Sequence, residues 1–96
     1  MVVIDVSGIR DHRRLHSVLR DALDFPPFYG MNRAAFWDAI TGLVEMPDRL
    51  TFTGWSDLTK SLPDEADLLR QALDDFRRQY RADFVAEYRE RVVVPR

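Results

Sequence analysis

Three short runs of strand-forming residues, separated by stretches with helical spacing, constrain this chain most. The first, Val2-Val3-Ile4-Asp5-Val6, is β-branched and stops at Ser7-Gly8. The second is Leu50 to Thr53, after the turn signal Pro47-Asp48. The third lies in Asp83-Phe84-Val85-Ala86-Glu87-Tyr88 and the residues beyond it. Between the first two, Asp11 caps a helix that runs to about Asp24, with Leu15, Val18, Leu19, Ala22 and Leu23 on one face. Pro26 and Pro27 stop it, because neither fits a helix interior. Between the last two, Trp55 to Leu62 forms a helical turn or two, followed by the clearest helix in the sequence. Ser61, an early proline and the carboxylates of Asp64, Glu65 and Asp67 suit its start, and Arg77, Arg78 and Arg81 suit its end. Leu68, Leu69, Ala72, Leu73, Phe76 and Tyr80 form its apolar stripe. Strands separated by helices favour an α/β fold, a parallel sheet with helices packed on it.

The chain has 96 residues, enough for one domain spanning 1–96, in which residues 89–96 are expected to be a tail or the end of the last strand. There is no cysteine, which excludes disulfides and thiolate metal sites and fits a reducing, cytoplasmic setting. The N-terminus lacks the pattern of a signal peptide, and no run approaches the ~20 apolar residues that span a bilayer. With 16 acidic and 14 basic side chains the net charge is −2, against a general nucleic-acid binder. The charge is uneven. Asp64, Glu65, Asp67, Asp74 and Asp75 crowd one stretch and Arg10, Arg13, Arg14 and Arg20 another, so an acidic side can face a basic partner.

Chemistry is sparse. His12 and His16 are four apart and can share a helix face, but a zinc site needs a third protein ligand and the sequence singles out none, so no metal or cofactor is expected. No Gly-rich phosphate loop and no nucleophile motif is present, and the adjacent Asp74 and Asp75 diverge by about 100° around a helix axis. The chain reads as a non-enzyme.

One stretch stands apart, Phe25-Pro26-Pro27-Phe28-Tyr29-Gly30 leading into Asn32. Asn32 is an N-cap for a second helix over residues 33–41, and Gly42 occupies the place of a left-handed C-terminal residue. Phe36, Ile40 and Leu43 share a face expected to enter the core. Asp38 is two residues from Phe36 and from Ile40, about 200° around the axis from each, so it points outward beside Ala34, Thr41 and Gly42. One carboxylate on a low ridge, among the rigid rings Phe28, Tyr29 and Trp37, has the composition of a binding hot spot. Core packing is expected to claim at least one of Phe28 and Tyr29.

Residues 28–47 resemble the barstar family, intracellular inhibitors of barnase-type microbial ribonucleases. The resemblance rests on Tyr29-Gly30-x-Asn32, Trp37-Asp38, Thr41-Gly42, Glu45 and Pro47. It implies a small three-stranded parallel sheet packed with helices and no catalysis. It also implies a 1:1 complex of a monomer with an extracellular, guanyl-preferring ribonuclease. In that family the second helix and the loop before it, here including Tyr29 and Gly30, plug the enzyme's active site. The acid after the tryptophan, here Asp38, takes the place of the substrate phosphate. Phe28 matches an aromatic that lies against a catalytic histidine, and Asn32, Trp37, Thr41 and Gly42 match further contacts. An acidic contact on the late helix corresponds to Asp74 or Asp75, with Asp75 carried forward. The sequence departs from the family at Ala34, where a second acid can stand, at Phe28, where tyrosine is common, and at Leu43, where a tryptophan can stand. These departures bear on which target is bound and keep open a barstar-like module that binds another basic protein.

Overall fold

The computed structural model describes residues 1–90. Strands β1 (Val2–Asp5), β2 (Arg49–Thr53) and β3 (Val85–Tyr88) form one sheet in the order β1-β2-β3, and both pairings are parallel. Parallel neighbours need long crossovers. Helices α1 (His12–Leu23) and α2 (Arg33–Asp38) lie in the first, and α3 (Trp55–Ser61) and α4 (Pro63–Gln79) in the second. The fold is α/β, as the alternation of strand and helix signals implied.

The registers Val2–Leu50–Ala86 and Ile4–Phe52–Tyr88 place one set of side chains on the face that joins the helices. Phe52 and Leu50 are fully buried there, and burying one such side chain is worth about 1.5–3 kcal/mol. The opposite row, Val3–Thr51–Glu87, faces away, where Val3 is exposed and Glu87 accepts from Thr51 (3.3 Å) and Arg49 (3.1 Å). Parallel sheets are usually covered on both faces; this one carries helices on one. A single core cluster takes side chains from every element, among them Ile4, Leu15, Phe36, Leu50, Leu58, Leu73 and Phe84.

The caps follow local chemistry. Asp11 Oδ1 accepts the Arg14 N–H at 2.8 Å, and Asn32 Oδ1 accepts the Ala35 N–H at 2.8 Å. The start of α4 differs from expectation. Leu62 is its N-cap, Pro63 opens it, and the Ser61 hydroxyl donates instead to the Ile9 carbonyl at 2.7 Å, tying α3 to the loop after β1. Tyr80 lies just beyond the end of α4, and its ring is exposed rather than in the core stripe. Arg89, at the start of the stretch expected to be a tail or the end of the last strand, is bound to the sheet region. Its N–H donates to the Phe52 carbonyl (2.8 Å), and its carbonyl accepts from Trp55 N–H (3.1 Å). Residues 91–96 of that stretch lie outside the described residues.

The largest departure is the end of the second helix. Regular α-helix stops at Asp38, and Ala39–Leu43 form a π-helical turn closed by the Val44 N–H donating to the Ala39 carbonyl at 3.1 Å. This i→i+5 bond widens the turn and shifts every later side chain around the axis. Leu43 is thereby turned out, 48% exposed, and Val44 packs against the core in its place. Gly42 is not left-handed; the chain leaves the turn through Val44 in an extended conformation.

Candidate functional site: an aromatic and acidic face around the second helix

Two adjacent rings before α2 go opposite ways. Tyr29 is buried, with its N–H donating to the Pro26 carbonyl at 3.0 Å, its hydroxyl 2.6 Å from His16 Nδ1 and its ring tilted against Phe25. Burial raises its phenol pKa well above the ordinary value. Phe28 has no such anchor and stands 76% exposed. Tyr29 therefore supports the loop from inside, and Phe28 is the ring left at the surface. Asn32 is also engaged internally, through its cap and through its Nδ2 donating to the Gly30 carbonyl at 3.2 Å. Gly30 lies close against α2. A Cβ there would sit 3.2 Å from the Ala35 Cβ. Met31 has φ 57°, a left-handed conformation that costs a non-glycine residue roughly 1–2 kcal/mol. The His12 Nε2–H donates to its carbonyl at 2.6 Å, holding the loop in that shape.

Asp38 is exposed on the outer side of α2, and among the described residues its carboxylate takes part in no hydrogen bond or ion pair. Its ridge is low. Ala34 and Gly42 are exposed beside it, and the Thr41 hydroxyl is turned inward to donate to the Trp37 carbonyl at 2.7 Å. A carboxylate with no internal partner gives up no protein contact when it meets an external cation, and the small neighbours let a second surface approach. Phe28 and Leu43 add exposed apolar surface to this part of the chain.

Trp37 is half-buried between α2 and α4 and meets Tyr80 edge-on at 6.0 Å. It lines a groove of about 530 Å³ with Arg33, Ala34, Ala72 and Asp75. The groove distinguishes the two late-helix acids. Asp75 faces α2 and accepts from Arg78, whereas Asp74 acts on Tyr88 at the sheet end. The structure thus brings Asp75 to a groove shared with Arg33, Ala34 and Trp37 of the helix that carries Asp38. Sequence reasoning missed Arg33 as part of this face, and with Leu43 it missed exposed apolar surface.

The third group that could join His12 and His16 is Glu65, on the first turn of α4, whose Oε1 is 2.6 Å from His12 Nδ1. This hydrogen bond raises the His12 pKa, whereas burial lowers that of His16.

A family model described as "Barstar (barnase inhibitor)" matches residues 1–93. The chain is also similar to the protein described as "Putative ribonuclease inhibitor YrdF" of Bacillus subtilis (strain 168), 30% identical over 83 residues, covering 86% of this chain and 91% of that one. With the parallel sheet and the capped second helix in place, the match over nearly the whole length settles the kinship: the chain belongs to the barstar family.

Proposed function

We propose that the chain is a protein inhibitor of a secreted, guanyl-preferring microbial ribonuclease, acting from the cytoplasm in a 1:1 complex. The observation that carries this is Asp38, an acid without an internal partner on a ridge of small residues. The family match and the name of the relative give the direction, since the family is described as a barnase inhibitor and the relative as a putative ribonuclease inhibitor. A ribonuclease holds its substrate phosphate with cationic side chains. A carboxylate pushed into such a cleft makes charge-assisted hydrogen bonds to them. The pair is favourable only where geometry is good and water is displaced. Phe28, Leu43 and Trp37 supply the surface that excludes water, and Gly42 and Ala34 allow close approach. The acids of α4 add a negative field that speeds encounter with a basic enzyme. Nothing in this role asks the inhibitor to make or break a bond.

The test is titration of the purified chain into a guanyl-preferring microbial ribonuclease assay. Inhibition at one equivalent is expected, with Asp38→Ala weakening it far more than Asp67→Ala. Equal inhibition by both variants would remove Asp38 from the interface. A second reading is favoured by Ala34, where a second acid can stand in the family, and by Arg33, which puts a cation beside it. On that reading the same face binds another basic protein, and the ribonuclease assay shows no inhibition at any ratio.

A further inference from the structure

Behind the loop that precedes α2 lies a cluster that ribonuclease binding does not use. His12 and His16 are one turn apart on α1, with ring centroids at 4.6 Å. Glu65 reaches both, its Oε1 at 2.6 Å from His12 Nδ1 and its Oε2 at 3.9 Å from His16 Nε2. One possible ligand atom from each residue lies within 4.8 Å of the other two. We propose that His12 Nδ1, His16 Nε2 and the Glu65 carboxylate bind a zinc-class divalent cation, with a fourth position left to water.

Three features of the site support this beyond the residue types. First, the far nitrogen of each imidazole is already held. His12 Nε2–H donates to the Met31 carbonyl at 2.6 Å, and His16 Nδ1 is 2.6 Å from the Tyr29 hydroxyl. Metal-binding histidines are oriented in this way, and such bonds fix which nitrogen faces the ion. Second, His16 Nε2 makes no hydrogen bond although the residue is only 3% exposed. A buried nitrogen without a partner is costly, and it points toward Glu65. Third, a cleft of about 20 Å³, large enough for one water-sized body, opens beside His16 and Glu65 among apolar residues and Arg33; an ion held also by His12 would take the place of the direct His12–Glu65 hydrogen bond. His12 is half-exposed and gives solvent access from the other side.

Charge divides between favouring and opposing the ion. The Glu65 carboxylate attracts it. The buried His16 Nε2, with no hydrogen-bond partner among the described residues, is the nitrogen that faces the ion. His12 bonds two acceptors through its two nitrogens, so binding at Nδ1 releases one proton to solvent. Arg33 is the cation that opposes the ion from the cleft wall. Both outer groups, Met31 and Tyr29, belong to the loop ahead of α2, so a bound ion would fasten that loop to α1 and α4. The two histidines alone gave no ground for a metal; Glu65, supplied by the fold, does.

Zinc chloride titrated calorimetrically into the chelator-treated chain at neutral pH tests this. Saturable binding at one ion per chain is expected, with a thermal midpoint that rises with free zinc. Cobalt(II) is expected to show the visible bands of a four-coordinate ion. Glu65→Gln and His12→Gln, both changes at partly exposed side chains, are expected to weaken binding by more than about 100-fold, beyond the usual cost of losing an outer-shell partner. Asp64→Asn, next to the site but outside it, is expected to leave binding unchanged. Absence of one-to-one binding below about 0.1 mM zinc would overturn the proposal. So would binding that survives both site variants, which would mean surface carboxylates hold the ion.

Discussion

A side chain placed at position 42 separates docking from folding, because the two effects have opposite signs. Gly42 has no left-handed φ, and a Cβ built on it meets no atom within 4 Å. Glycine within a helical segment costs roughly 0.5–1 kcal/mol relative to alanine. Gly42→Ala is therefore expected to stabilise the free chain by about that amount, raising the thermal midpoint by roughly 2–8 °C for a domain this size. Gly42→Leu also fits the free chain, since its side chain projects into solvent. If this ridge docks as proposed, the extra atoms stand in the path of the partner. Forcing a few methylenes into a packed contact costs about 1–3 kcal/mol, a loss of roughly 5- to 140-fold in affinity. The assay is inhibition of ribonuclease activity by each variant, paired with thermal melts of the variants alone. A Gly42→Leu protein that melts no lower than wild type yet inhibits poorly places the π-helical turn in the interface. Full inhibition by Gly42→Leu would refute the account of how this ridge meets its target, whatever the melts show.

Three further outcomes are expected. Gly54 has φ 70°, and a Cβ there would lie 2.6 Å from the Ser7 Cβ and 2.9 Å from the Ser7 nitrogen; Gly54→Ala should lose at least the roughly 1–2 kcal/mol of left-handed strain, read as a lower urea midpoint with an unchanged m-value. Tyr29→Phe leaves His16 Nδ1 without the hydroxyl at 2.6 Å and should cost about 1–3 kcal/mol, whereas Phe28→Ala, at a ring that is exposed, should leave stability within about 0.5 kcal/mol while weakening inhibition. The Asp57 carboxylate accepts from the Gly8 N–H at 2.5 Å and Arg10 at 3.2 Å, which hold its pKa below the usual value; a depressed carboxylate contributes stability above its unfolded pKa and loses it as pH falls through the folded one, so denaturant melts between neutral pH and pH about 2 should decline less steeply for Asp57→Asn.

What could be read from the sequence was whatever neighbouring residues decide among themselves. Asp11 and Asn32 cap helices through atoms three residues away, so their roles were visible in the chain. The burial of Phe36 and Ile40 and the exposure of Asp38 followed from helical spacing. That spacing failed at Ala39, where one i→i+5 bond rotated Leu43 out and Val44 in, and no residue type announces such a turn. It was also silent on Phe28 against Tyr29, because the choice is made by His16 on a different helix. Asp74 and Asp75 are neighbours in sequence, and only the packing of α4 beside α2 shows that Asp75 lies in the groove with Trp37. His12 and Glu65 are 53 positions apart, and no local period connects them.

The charges around α2 bear on what this face can accept. Asp38 has no internal partner among the described residues, and Asp75 is partly neutralised by Arg78 before any partner arrives. Arg33 adds a cation to the groove near Trp37, and Ala34 contributes none of the negative charge a second acid would bring. A target with several closely spaced cations opposite the first turn of α2 would meet Arg33 across desolvated surface, where like charges are costly. One whose cations gather opposite Asp38, with apolar or acidic surface opposite Arg33, would not. On the proposed mode of binding, the arrangement would select among basic enzymes by where their positive charge lies rather than by how much they carry. Arg33→Ala is expected to broaden the set of ribonucleases inhibited, and a panel of guanyl-preferring enzymes assayed with both proteins tests this: an unchanged ranking would show that Arg33 stays in water when the complex forms.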